Sequence, residues 1–111
     1  MKAETPVLDT LADITAASAE RSPLAPRELM LARIAALIAM DAPPASYLAN
    51  GPVAADIGIT ADDVEAVMIA VAPVVGTPRV VSAGGSILRA LGLAIRVADD
   101  SEAANGANAR R

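Results

Sequence analysis

Residues 26–41 read PRELMLARIAALIAMD. Pro26 suits a first helical turn, where its missing N–H leaves no bond unmade. Leu29, Met30, Leu31, Ile34, Leu37, Ile38 and Met40 then wrap more than one face of a 3.6-residue spiral. Arg27, Glu28 and Arg33 are the only charges before Asp41. A helix this apolar is buried on most sides. The stretch predicts a central helix over 26–41, stopped by Ala42-Pro43-Pro44.

Toward the N-terminus, Thr5-Pro6 reads as an N-cap followed by a first-turn proline. Val7, Leu8, Leu11 and Ile14 recur at helical spacing and predict a helix over 6–20. Glu20-Arg21-Ser22 and the Pro23/Pro26 pair form a rigid linker. Toward the C-terminus, Ala45 to Ile57 is helical in composition but holds Gly51-Pro52. Pro52 cannot bond the carbonyl of Leu48, so a kink or break is expected near 49–51, with Gly58 as a C-terminal stop. Thr60-Ala61-Asp62-Asp63 resembles a capping box and opens a helix over 61–74, closed by Pro73 and Gly76. Thr77-Pro78 repeats the cap-plus-proline signal. A last helix carries Val80, Val81, Ile87, Leu88, Leu91 and Ile95 to about 97. Its Gly84-Gly85 pair weakens it locally or lets another backbone come close. The small, polar run 98–111 reads as a disordered tail. The expectation is an all-α fold: one domain over 1–97, a small antiparallel bundle of about five helices.

Composition narrows the chemistry. The 111 residues include one Tyr, no Phe, no Trp, no His and no Cys. This chain therefore has no disulfide, thiol nucleophile, imidazole base or Cys/His metal site. Net charge is −4, and Lys2 is the only lysine beside eight arginines. That balance excludes a conventional nucleic-acid footprint and makes no polybasic membrane anchor. No apolar run is long enough to span a bilayer, and Glu4, Asp9 and Asp13 break up any signal-peptide core. A cytoplasmic protein is expected, with no cofactor and no metal. The helices over 26–41, 61–74 and 78–97 are apolar on more than one face, and no aromatic fills a centre. Such helices finish burying themselves against another subunit, so a homo-oligomer is expected.

Three turns carry a family resemblance: Pro26-Arg27-Glu28-Leu29 before an apolar helix; Gly58-Ile59-Thr60 followed by Asp62-Asp63-Val64-Glu65-Ala66-Val67; and Val75-Gly76-Thr77-Pro78 before the last helix. In this order and spacing the chain, from Pro26 to about Leu91, resembles the carboxymuconolactone decarboxylase and alkylhydroperoxidase D-like family. The resemblance implies an all-α fold assembled as trimers or hexamers, with a site near the start and middle of the third helix. In the peroxidase branch that site is Cys-X-X-Cys followed by His. The decarboxylase branch keeps the His and moves protons on a lactone acid. Carried onto this sequence, the two Cys positions fall on Pro43 and Ser46 and the His position on Asn50. The chain lacks a thiolate, and Asn50 does not titrate, so neither chemistry transfers as it stands.

Each candidate residue has a functional and a structural reading. Glu28 sits near the family's acidic position and could serve as a buried general acid or base. As a first-turn acid it also suits the helix dipole, paired with Arg33 or Arg27. Arg33 could bind a carboxylate bidentately, or pair with Glu28 or with an acid of a neighbouring subunit. Ser46, Tyr47 and Asn50 can share a helix face and form a small polar pocket. Equally, Ser46 and Asn50 can satisfy carbonyls freed beside Pro52, while Tyr47 covers a subunit seam with its hydroxyl at the edge. Asp62, Asp63 and Glu65 read as cap acids, not a cation site, and Met30, Met40 and Met68 as core filler. Two functions remain open. One is a family member without thiol redox chemistry that binds or converts a small organic acid through Glu28, Arg33, Ser46, Tyr47 and Asn50. The other is a non-catalytic structural or interaction homo-oligomer.

Overall fold

The computed structural model describes residues 5–92, so the expected tail over 98–111 lies outside it. Within that range the chain is helical and forms no strand. The elements are α1 (Pro6–Arg21), α2 (Pro26–Ala39), α3 (Pro44–Asp56), α4 (Ala61–Val75) and α5, which runs from 77 to the last described residue, 92. No helix among the described residues is long and apolar enough to cross a membrane.

Local chemistry sets most of the ends. Prolines open α1, α2 and α3, each where a missing N–H costs nothing. Two helices close in the same way. At the end of α2, Asp41 takes a left-handed φ of 54°; its N–H donates to the Ile38 carbonyl and that of Ala42 to Leu37. At the end of α3, Gly58 has φ 82°, with Gly58 N–H donating to Ala55 and Ile59 N–H to Ala54. This paired 6→1 and 5→2 arrangement satisfies carbonyls that a bare helix end would orphan. α4 opens on a reciprocal capping box. The Thr60 hydroxyl accepts from Asp63 N–H at 3.1 Å and the Asp63 carboxylate accepts from Thr60 N–H at 2.9 Å. Gly76, at φ 87° and ψ 159°, separates α4 from α5.

Two local expectations change. The Thr5 side chain does not cap α1; its hydroxyl turns to the Asp9 carboxylate at 3.4 Å. Of the kink or break expected near 49–51, the break does not occur: α3 runs continuously through Pro52. A proline inside a helix costs about 3 kcal/mol. Against that cost, Ala54 and Ile57 pack on the core, and the Pro52 ring already holds a helical φ.

The core gathers around α2. Met30, Ile34 and Ile38, one turn apart, are buried together with Ala83 of α5. Ala54 and Ile57 of α3, Ile59, and Val64, Val67, Met68, Val71 and Val75 of α4 close over them. The second helix is central, as expected, but it is not buried on most sides: only the Met30, Ile34 and Ile38 stripe is buried, Leu29, Leu31 and Leu37 are half-buried, and Ala32, Ala36 and Met40 are exposed. α1 is the exception to the bundle. Like α3 and α4 it has no fully buried residue; what sets it apart is that Val7, Leu8, Leu11 and Ile14 are all more than half exposed and only Ala17 is half-buried. Its polar tie to the body is one hydrogen bond, from the Arg33 guanidinium of α2 to the Thr15 carbonyl at 3.0 Å.

Candidate functional site

The five candidate residues occupy two helices and face different tasks. Glu28, in the first turn of α2, lies exposed on the surface. It pairs with neither arginine expected beside it. Arg27 reaches across to α4 and grips Asp63 with both terminal nitrogens, at 2.7 and 3.1 Å. Arg33 spends a donor on the Thr15 carbonyl. Arg27–Asp63 is the salt bridge found among the described residues. It joins residues 36 apart in sequence, a pairing no local pattern announces. Arg27, and secondarily the Thr60 N–H, hold the Asp63 carboxyl well below the usual carboxylate range. The capping acid of α4 is thus also the anchor of α2.

On α3, Ser46, Tyr47 and Asn50 are each half-buried. The Asn50 amide donates to the Ser46 carbonyl at 2.9 Å. That is an i−4 back-bond to the side chain's own helix, two residues before Pro52, of the kind by which short polar side chains compete with the backbone ladder. Tyr47 differs from the sequence expectation: its hydroxyl is not at an edge but buried, without a hydrogen-bond partner among the described residues. Burial pushes the phenol pKa up, and the nearby Asp41 charge adds to it, so Tyr47 is held neutral. Asp41 in turn accepts a hydrogen bond from the Ser82 hydroxyl of α5. Sequence reading did not single out Asp41 or Ser82. The one available signal was an acid just past the end of an apolar helix, where short polar residues tolerate a left-handed backbone.

One groove reaches a candidate residue. It encloses about 160 Å³ between the end of α1, α2 and α3, and its walls include Leu24, Leu29, Met30, Val53 and Ile57, with Arg33 as the only charged lining residue. Glu28, Ser46, Tyr47 and Asn50 do not line it. The geometry therefore offers a cation beside an apolar slot, not one pocket built from all five residues. No group of acidic side chains among the described residues is arranged to hold a metal ion. Comparisons with protein-family models, curated proteins and solved structures find no match for this chain.

Proposed function

We propose that this chain is a self-associating helical interaction protein, a divergent relative of the carboxymuconolactone decarboxylase family that works without thiol chemistry. The observation that carries the self-association is α1. Four large apolar side chains, Val7, Leu8, Leu11 and Ile14, stand open to water on a helix in which Ala17 alone is even half-buried. A lone 16-residue helix is marginal in water. Each large apolar side chain left exposed forgoes part of the roughly 1.5–3 kcal/mol that full burial contributes. A covered α1 removes both problems. What supports the kinship is position: the three turn motifs each fall at a helix boundary, at the starts of α2 and α4 and between α4 and α5. Light scattering tests the reading. The expected mass is a multiple of the 11.1 kDa chain, and Leu11→Glu is expected to lower it.

A second reading rests on the Arg33 groove. A short-chain organic acid would place its tail against Leu29, Met30 and Ile57 and its carboxylate on the Arg33 guanidinium, which has donors beyond the one given to Thr15. Titration of hexanoate against hexanol, followed by NMR, tests it. Equal shifts from the two, or shifts unchanged in Arg33→Gln, would remove the carboxylate role.

A further inference from the structure

α5 carries a second face left unpartnered among the described residues. Its inner side holds Ala83, Ser86 and Ala90, all buried, and Gly84 faces Met68 of α4. At about 100° per residue, Val81, Gly85, Leu88 and Gly92 form a stripe on the outer side. Val81 and Leu88 are 69% and 70% exposed. A Cβ added at Gly85 or Gly92 would meet nothing within 4 Å. Large and absent side chains thus alternate at four- and three-residue steps, the spacing of a close helix–helix seam.

We infer that this stripe is the seam of a two-fold dimer, in which α5 packs antiparallel against α5 of a second copy. The inference deepens the self-association reading and rests on it. The alternation is self-complementary in one register. An antiparallel pairing centred between Ser86 and Ile87 sets Val81 opposite Gly92 and Gly85 opposite Leu88. Every protruding side chain then meets a glycine, and both copies present the same patch, as a two-fold interface requires. A parallel pairing in register sets Val81 on Val81 and Gly85 on Gly85, leaving a clash beside a void.

Charge selects the same arrangement. α5 carries Arg79 and Arg89 and no acid over 77–92. Arg89 and Ser82 lie on one flank of the stripe, and Ser82 holds the exposed Asp41 carboxylate. Neither Asp41 nor Arg89 has a salt-bridge partner among the described residues. A two-fold axis across the pair keeps like flanks together. Arg89 of the partner subunit then comes alongside position 84, within a turn of Ser82, and faces the Asp41 carboxylate. The contact is made twice. Such pairs fix register and orientation more than they add affinity.

The test is the mass in solution of the full chain and its variants, with far-UV circular dichroism as a check on folding. Gly85→Leu places a side chain in space that is empty in the single chain but occupied by Leu88 of the partner subunit across the seam. It is expected to weaken dimerisation at least tenfold while helicity is kept. The size swap Gly85→Leu with Leu88→Gly restores the large-against-glycine match and the mass. Arg89→Glu weakens association less, and more at low salt. Because the chain has no cysteine, oxidising a mixture of Val81→Cys and Gly92→Cys chains reads the register directly. A disulfide-linked pair is expected from the mixture above the yield of either variant alone, and this readout holds even if Gly85→Leu fails to fold. A folded Gly85→Leu chain with the wild-type oligomeric mass, or no preferential cross-link in an oligomeric mixture, overturns the seam and leaves self-association standing. A wild-type chain that stays monomeric throughout overturns both.

Discussion

In α2, Met30, Ile34 and Ile38 recur at single turns and are at most 6% exposed; in α1, Val7, Leu11 and Ile14 recur at nearly the same spacing and are at least 53% exposed. The periodicity of the two helices is alike, and their environments are opposite. α2 is enclosed because α3, α4 and α5 each bring apolar side chains to it. α1 sits beyond a proline-bounded linker and is tied back by Arg33. An amphipathic pattern states that a face will be covered. It does not state whether the cover comes from the same chain. In a chain of this size the core is small, and α1 and α5, together with Ile69 and Val74 of α4, are left with large apolar side chains turned outward.

Substitution can break that contrast or sharpen it. The largest effect is expected at Ile38, the most enclosed large side chain. Ile38→Ala leaves a cavity with little room to relax and should cost about 2–5 kcal/mol in urea unfolding. Leu11→Ala in α1 removes a similar volume from an exposed position. It should change single-chain stability by less than about 0.5 kcal/mol while reducing association, so the two effects separate by concentration dependence. Next in size is Gly76→Ala. Its φ of 87° with ψ of 159° is a conformation that side chains resist at about 1–3 kcal/mol, and thermal unfolding should show it. Gly85→Ala, in ordinary helix with open space around it, should instead stabilise the single chain by up to about 1 kcal/mol. The same residue change, at the α4–α5 junction and within α5, thus carries opposite signs. A smaller loss, about 1 kcal/mol, is expected for Thr60→Ala, which removes one half of the capping box.

Acid gives a further handle on the α2–α4 contact. The Asp63 carboxyl titrates below its unfolded value because Arg27 and the Thr60 N–H favour its charged form. A depressed folded pKa contributes stability that is present above the ordinary carboxylate pKa of about 3.9 and is lost as the pH falls below it. The thermal midpoint should therefore drop on acidification below about pH 4, and Asp63→Asn should start lower and drop less over that range. A variant with an unchanged acid profile would show that the ion pair contributes nothing beyond its geometry.

What sequence reading reached and missed follows the range of each interaction. The Thr60–Asp63 box, the stops at Gly58 and Gly76 and the proline-led helix starts are decided within four residues, and the pattern of residue types displays them. The enclosed second helix was equally legible, since Met30, Ile34 and Ile38 leave no polar face to turn inward. The continuity of α3 was not legible. A Gly51-Pro52 pair argues for a kink or a break, and the packing of Ala54 and Ile57 on the core, which favours carrying the helix past it, is not visible in local sequence. The Arg27–Asp63 pair spans two helices, so no spacing rule reaches it. Among the site candidates, Asn50 bonds the Ser46 carbonyl and not the Leu48 carbonyl that Pro52 leaves free, and the unpartnered Tyr47 hydroxyl depends on where α3 meets the rest of the fold. That Arg33 holds α1, and that the large apolar side chains of α1 stay exposed, are tertiary facts with no local signature.

Sedimentation equilibrium of the wild-type chain across low-micromolar to submillimolar concentrations tests the central claim most directly: that the apolar faces of α1 and α5 are covered by further copies of the same chain. The predicted result is a mass that rises to an even multiple of 11.1 kDa, with the rise shifted to higher concentration in Gly85→Leu and in Leu11→Glu. A single species of 11.1 kDa at every concentration would contradict it.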